Sequence, residues 1–97
     1  MFDKMKQMMD LQKKVQELKK QLEQATFEVS SSDGVFKVVM NAAQEIKDVI
    51  LADSYSKVDK GKLEQAIKDT YNRAIKRAQE IAASKMKDIS GLALPGF

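Results

Sequence analysis

The sequence predicts an α+β fold in which a long helix, a three-stranded antiparallel meander and a second long helix follow one another. Residues 2–24 and 60–89 have apolar residues at helical spacing, and the segment between them switches to alternating apolar and polar residues. Two short breaks divide that middle segment into strands at about residues 25–31, 35–42 and 45–51. Connections this short join antiparallel neighbours, so the three strands form a meander.

The composition is that of one small domain covering residues 1–97. Apolar residues make up 43% of the chain and charged residues 32%, with one proline, four glycines and no cysteine. The chain therefore forms no disulfide and has no thiolate to bind a metal. No stretch approaches the roughly 18 apolar residues of a membrane span, so no membrane association is expected from a spanning helix.

The first predicted helix has an apolar seam on one side and a row of lysines on the other. The seam residues are spaced alternately by three and four positions, and they are Met8, Leu11, Val15, Leu18, Leu22 and Ala25. Lys6, Lys13 and Lys20 repeat every seven residues on the opposite side. Such a row is either an ordinary solvated helix face or a surface for an anionic partner.

The three strands differ in their apolar patterns. Phe27 and Val29 alternate with polar residues, which predicts a half-buried first strand. Ser32-Asp33-Gly34 predicts a tight turn, because Asp and Gly tolerate positive φ. The second strand, residues 35–42, is apolar on both faces, and Asn41-Ala42-Ala43-Gln44 ends it. In the third strand, a regular alternation places Ile46 and Ile50 on one face and Val49 and Leu51 on the other.

The second helix is predicted from about Lys60 to Ile89, followed by a short apolar tail over residues 90–97. Its apolar residues gather on one side, and they are Leu63, Ile67, Tyr71, Ala74, Ala78, Ile81, Ala82 and Ile89. Basic residues dominate the other side, with Arg73, Lys76 and Arg77 within about one turn.

The lengths of the elements predict a homodimer. At about 1.5 Å per residue, helices of roughly 22 and 29 residues are far longer than a seven-residue strand of about 23 Å. Part of each apolar stripe is then left uncovered, and a two-fold dimer covers one patch with its own copy. The residues expected at this interface are Val35, Val38, Val39, Met40, Ile46 and Val49.

The residue types for catalysis are missing, which predicts that the protein is not an enzyme. The chain has no histidine, cysteine or tryptophan, and no acid lies in an apolar context that would tune its pKa. Its four glycines match no phosphate-binding loop, and its acids match no metal motif. We therefore expect no catalytic residue, no metal, no cofactor and no small-molecule substrate.

Charge is distributed unevenly along the chain, although the net charge is only +3. Residues 1–22 have six lysines against three acids, and residues 60–97 have eight bases against four acids. Residues 23–59 have three lysines against seven acids. A polyanion would therefore meet the helices and avoid the strands.

Several segments resemble the YbaB/EbfC family of bacterial nucleoid-associated proteins. They are the Met- and Gln-rich opening MFDKMKQMMDLQKKVQELKKQLEQ, the strand region FEVSSSDGVFKVVMNAAQEIKDVIL, the helix LEQAIKDTYNRAIKRAQEIAASKM and the ending LPGF. The resemblance covers almost the whole chain. The sequence departs from the family pattern at Ala42, where a glycine usually follows the asparagine, and at Leu51-Ala52-Asp53, where the pattern is closer to Ile-Asp-Pro.

The resemblance implies a tweezers-like homodimer whose helical arms project from a joined β body. It also implies binding to double-stranded DNA through phosphate contacts, and a role in nucleoid organisation and gene regulation in the bacterial cytoplasm. The residues expected to contact DNA are the basic residues of the arms, namely Lys6, Lys13, Lys14, Lys20, Arg73, Lys76 and Arg77.

Two other functions are compatible with the first helix. Met5, Met8 and Met9 give it an adaptable apolar surface, which suits a protein-interaction module. Its mixture of lysines and apolar residues also suits docking on a membrane surface. Partner capture that survives nuclease treatment would favour the interaction module, and vesicle flotation would test the membrane hypothesis.

Overall fold

The predicted element order is confirmed in the structure, a computed structural model that describes residues 2–88. The elements are α1 (Phe2–Gln24), β1 (Thr26–Ser30), β2 (Phe36–Asn41), β3 (Ile46–Leu51), a short 3-10 helix (Asp53–Lys57) and α2 (Lys60–Asp88). The 3-10 helix lies in the connection between β3 and α2. The predicted helix end at Ile89 and the apolar tail over residues 90–97 lie outside the described residues.

The strands form an antiparallel sheet in the order β1-β2-β3, so β2 is the central strand. Val38 pairs with Val29 on one side and with Val49 on the other, and directly opposed residues share a face. The register shifts between Val39 and Met40, so that Met40 pairs with Ile46. This irregularity leaves Lys47 as an extra residue in β3.

The register corrects the expected faces of β3. Ile46 pairs with Met40 and therefore lies on the same face as Val49 and Leu51, whereas a regular alternation had placed it with Ile50. An extra residue in a strand reverses the alternation beyond it, which explains the difference. Three large apolar side chains of β3 thus share one face of the sheet.

The core lies between α2 and the strands β1 and β2. Phe27, Phe36, Val38 and Met40 pack there against small residues of α2. Ala74 and Ala78 are fully buried, because the absence of larger side chains lets the helix lie close to the sheet. Met40 and Val38 have almost no exposed surface, so this face of β2 is filled by its own chain.

The strand β3 is left uncovered. All six of its residues are exposed, in contrast to β2. On the α2 side of the sheet, Ile46, Val49 and Leu51 keep 49%, 51% and 44% of their surface accessible. We call these three residues the β3 row. The helix α2 covers β1 and β2 but does not reach this row.

The α1 helix projects beyond the sheet as an arm. Its residues 3–17 are exposed apart from Leu11, and Leu18 is its most buried residue. The molecule measures 67 × 19 × 16 Å. Since α2 alone accounts for only about 43 Å at 1.5 Å per residue, α1 must supply much of the remaining length.

The turn between β1 and β2 is held by side-chain hydrogen bonds. The Asp33 carboxylate accepts from the Ser31 hydroxyl at 2.5 Å and from the Val35 N–H at 3.1 Å. These two bonds favour the charged form and lower the pKa of Asp33 below its ordinary value. Gly34 has φ of +74°, as expected for the turn predicted at Ser32-Asp33-Gly34.

Candidate functional site

The lysine row of α1 faces away from the body of the protein. Lys6, Lys13 and Lys20 are exposed, and each lies about half a turn away from the seam that includes Leu18. Because Leu18 packs against the body, the opposite face carries the three lysines into solvent. Lys14 is also exposed and lies beside this row. The arm therefore presents four of the predicted binding residues.

The arm lysines have no carboxylate partner among the side chains that the structure describes. Within that part of the chain, the one salt bridge joins Lys37 to Glu28 across β1 and β2, with 3.5 Å between Nζ and Oε2. That pair lies on the sheet face opposite α2. The charges of the arm are therefore available to an anion without first breaking an ion pair.

The basic cluster of α2 is divided between two environments. Arg73 donates from Nη2 to the Ser30 carbonyl at 2.9 Å and to the Thr70 hydroxyl at 3.3 Å. The Arg77 guanidinium lies 5.8 Å from the centroid of the Phe27 ring. Both arginines are thus directed toward β1, although both remain exposed.

Lys76 differs from its two arginine neighbours. It is exposed, makes no hydrogen bond or salt bridge among the described side chains, and lies on the helix face opposite Ala74 and Ala78. The structure therefore places the three predicted α2 residues on one helix but does not direct them to one point.

The residues predicted at a dimer interface also fall into different environments. Val38 and Met40 lie in the core against α2, and Val35 is buried. Val39 is half-buried on the face opposite α2. Ile46 and Val49 are exposed in the β3 row. Only these last two present a large apolar surface to a second molecule.

Sequence reasoning missed several residues that shape these surfaces. Leu51 completes the β3 row but was not included in the predicted interface, although the regular alternation already placed it on the face of Val49. Thr70 is fully buried beneath Arg73, and Asn41 is fully buried at the end of β2. Polar residues inside an apolar stripe were the available signal for both.

Two other kinds of site are absent from the part of the chain that the structure describes. None of the helices between residues 2 and 88 is long and apolar enough to cross a membrane. Within the same range, no group of three or more Asp and Glu side chains is arranged to hold a metal ion.

The protein is of the α+β class, with a basic helical arm that projects from a three-stranded meander. The sequence matches the YbaB/EbfC DNA-binding family over residues 1–93, and the chain belongs to that family. It is a family of nucleoid-associated DNA-binding proteins and not an enzyme family.

Two relatives share more than a third of its residues. A nucleoid-associated protein of Dictyoglomus thermophilum is 38% identical over 96 residues, which cover 97% of this chain and 92% of the relative. A nucleoid-associated protein of Dictyoglomus turgidum is 36% identical over the same lengths.

A solved structure confirms the fold. The crystal structure of the uncharacterized protein HP0035 from Helicobacter pylori superposes with a TM-score of 0.77 and covers 92% of this chain and 96% of its own. Its sequence identity is 19%, so this similarity concerns the fold alone.

Proposed function

We propose that this protein is a nucleoid-associated protein that binds double-stranded DNA through phosphate contacts made by its basic helical arms. The lysine row of α1 is the observation that most directly supports this function. Its lysines project into solvent from the face opposite the seam, and the family to which the chain belongs is a DNA-binding family. The protein would act in the nucleoid, within the cytoplasm, where it would organise DNA and influence gene expression.

The spacing of the lysine row suits a DNA backbone. Seven residues of helix rise about 10.5 Å, so Lys6 and Lys20 are about 21 Å apart along the axis. Duplex DNA carries one phosphate charge per roughly 1.7 Å of axis, which offers a partner to each lysine in several registers. Lysine is a flexible point charge that does not require a particular base edge. Binding should therefore depend little on sequence.

A salt series measures this mode of binding. We expect the logarithm of the affinity to fall linearly with the logarithm of salt concentration, by about 0.9 for each phosphate neutralised. Gel shifts on two duplexes of unrelated sequence, each with non-specific competitor, should give similar slopes. Absence of binding near 50 mM salt at micromolar protein, or a slope near zero, would refute the proposal.

The working form of the protein is proposed to be a homodimer joined at β3. Arg73 of α2 is directed toward β1, and Tyr71 lies about 200° around the helix from Arg73. Tyr71 is therefore on the side of α2 nearer to the β3 row. Tyr71 and Ile67 are both partly exposed. The β3 row and these two residues are exposed apolar side chains that a second copy of the chain can cover.

The exposed area of the β3 row shows how far a dimer interface would have to extend. Three half-exposed aliphatic side chains offer roughly 250 Å², worth about 6 kcal/mol before the costs of association. A stable interface buries about 800 Å² on each partner. The β3 row is therefore not sufficient alone, and the interface must extend to the rim formed by Ile67, Tyr71 and neighbouring residues.

Asp48 affects how a second copy can approach the open edge of β3. Val38 and Val49 form a non-hydrogen-bonded pair of the antiparallel ladder, so the N–H of Val49 points away from β2. This N–H donates to the Asp48 carboxylate at 2.8 Å. Main-chain pairing at Val49 would have to displace that carboxylate, so contact through the side chains of the β3 row is favoured.

A pair of substitutions in β3 tests the dimer. Val49→Asp puts a charge into the β3 row, and it should convert the dimer to a monomer by light-scattering mass. Ile50→Asp is the matched control, because Ile50 is 43% exposed on the opposite face, paired with Lys37. It should remain dimeric. A monomeric wild-type protein, or a dimer unaffected by Val49→Asp, contradicts the assignment.

A second candidate function rests on the methionines of the arm. Met5, Met8 and Met9 are 65%, 64% and 59% exposed, which is unusual for apolar side chains of this size. Methionine adapts to varied partner surfaces, so this face suits a protein partner. If that is the main function, Met8→Gln and Met9→Gln should abolish capture of a nuclease-resistant partner and leave DNA binding intact.

A further inference from the structure

Asn41 is a completely buried polar side chain at the end of β2. Its Oδ1 accepts from the backbone N–H groups of Ala43 at 3.1 Å and Glu45 at 2.9 Å. Its Nδ2 donates to the Glu23 carbonyl at 3.1 Å and to Glu45 Oε1 at 2.8 Å. An asparagine amide has two donor hydrogens and two acceptor lone pairs, so every one of them is used.

These bonds are part of the cap of α1. The helix has no basic residue in its last turn and no glycine after its end, so its last carbonyls need other partners. The N–H of Ala42 donates to the carbonyls of Leu22 at 3.1 Å and Ala25 at 3.0 Å. Asn41 supplies the bond to Glu23. The turn after β2 therefore caps the arm.

The other contacts between the arm and the body are confined to the base of α1. Of its residues 3–17, all but Leu11 are exposed, and Leu18 is buried where the end of the helix lies against α2 and β2. The same turn leads into β3 at Ile46, within the proposed dimer interface. One buried side chain thus joins the end of the DNA-binding arm to the strand that would meet the second copy.

We propose that Asn41 is a positioning residue that sets the angle between α1 and the sheet, and with it the separation of the two lysine rows in the dimer. This inference rests on the proposed function, because the separation matters when both arms engage one DNA molecule. Preset spacing makes contact by the second arm effectively intramolecular, which raises affinity without any new contact.

No other side chain reproduces these four bonds. Asp at position 41 would direct a carboxylate at the Glu23 carbonyl and the Glu45 carboxylate. Ala would leave the two N–H groups and the two acceptors without this partner. The turn itself has its positive φ at Gln44, +64°, so Ala42 fits where the family usually has glycine.

Spin-label distances test this positioning directly. The chain has no cysteine, so Gln7→Cys on the arm and Lys68→Cys on α2 give two defined labelling sites, both exposed. Diluting the labelled protein with excess unlabelled protein restricts the measured distance to one chain. We expect one narrow distance distribution, which Asn41→Ala should shift and broaden. Asn72→Ala, an exposed asparagine on α2, should leave it unchanged.

DNA binding is then measured on variants without added cysteines. Asn41→Ala should lower affinity about tenfold and reduce the salt slope, while mass and circular dichroism stay those of the folded dimer. Glu45→Ala removes only one of the four bonds and should produce a smaller change in the same direction. If Asn41→Ala does not fold, the distance distribution and DNA affinity of Glu45→Ala test the positioning role.

The outcomes separate this inference from the proposed function. Distance distributions for Asn41→Ala and Glu45→Ala that match Asn72→Ala would overturn the positioning role, whatever the DNA result. A wild-type protein that fails to bind DNA would overturn the proposed function, and the distances, which are measured without DNA, would still report on Asn41.

Discussion

The helices α1 and α2 are both long, amphipathic and rich in basic residues, yet the structure uses their charges differently. On α1 the lysine row faces away from the body and meets no carboxylate among the described side chains. On α2, Arg73 and Arg77 are directed toward β1, where they contact Ser30 and Phe27. A similar charge pattern is therefore directed into solvent on one helix and, in part, toward the body on the other.

The residue types are consistent with this division. Arg73 has several donors in a planar group, so it can bond a carbonyl and a hydroxyl together. The lysines of α1 keep a single mobile charge at the end of a flexible chain. A basic residue near a sheet edge is therefore weaker evidence of an anion site than one on a projecting helix.

Removing the lysine row should produce the largest effect. The triple variant Lys6→Ala, Lys13→Ala and Lys20→Ala should lower DNA affinity about a hundredfold near 100 mM salt and reduce the salt slope by nearly three per arm engaged. Lys37→Ala, Lys47→Ala and Lys57→Ala remove the same charge from the acidic middle of the chain and serve as the control. Equal losses in both triples would mean that net charge alone governs binding.

Arg73 and Lys76 should differ in what they affect. Arg73→Ala breaks the bonds to Ser30 and Thr70 and should cost about 1 kcal/mol of unfolding free energy. That corresponds to a melting temperature lower by roughly 5 °C at fixed protein concentration.

Lys76→Ala should leave the melting temperature unchanged and reduce the salt slope of DNA binding by about one. Thermal melts and salt titrations of DNA binding should be measured on both Arg73→Ala and Lys76→Ala. If Lys76→Ala destabilises the fold as much as Arg73→Ala, the contrast within α2 is wrong.

Arg77 should show the smallest effect. Its contact with the Phe27 ring is at an exposed site, so Arg77→Ala should cost about 0.5 kcal/mol of unfolding free energy. Phe27→Leu removes the same contact but also changes the core, so Arg77→Lys is the better control, because it keeps the charge. Denaturant titrations resolve a difference of this size when the variant and the wild-type protein have the same dependence of unfolding free energy on denaturant concentration. A loss above that of Arg73→Ala would show that Arg77 has further contacts.

The fold was predictable because periodicity decides it locally. The change from helical spacing to alternation at Phe27 and back after Leu51 depends only on neighbouring residues, and so does the placement of Lys13 opposite Leu18. The division of Arg73 from Lys76 was not predictable in this way. A helical wheel shows which residues of α2 share a face. Which of those faces lies against β1 depends on the tertiary structure.

Two further features could not be predicted from the sequence, because each depends on a single residue. The extra Lys47 turns Ile46 onto the face of Val49, and no periodic pattern shows where a strand will bulge. Asn41 was predicted only to end the strand, whereas its hydrogen bond to the Glu23 carbonyl joins segments 18 residues apart. The DNA contacts of individual residues stay predictions until the variants are measured.

The bond between the Asp48 carboxylate and the N–H of Val49 has a consequence for newly made chains. In a single chain, β3 is an edge strand with apolar side chains, and from such edges fibres grow by repeated strand addition. Asp48 places a negative charge at that edge and occupies one of its donors. It would slow indiscriminate stacking of monomers without hindering side-chain contact on the face of the sheet. Its replacement by Asn should first become visible as turbidity in concentrated, freshly refolded protein.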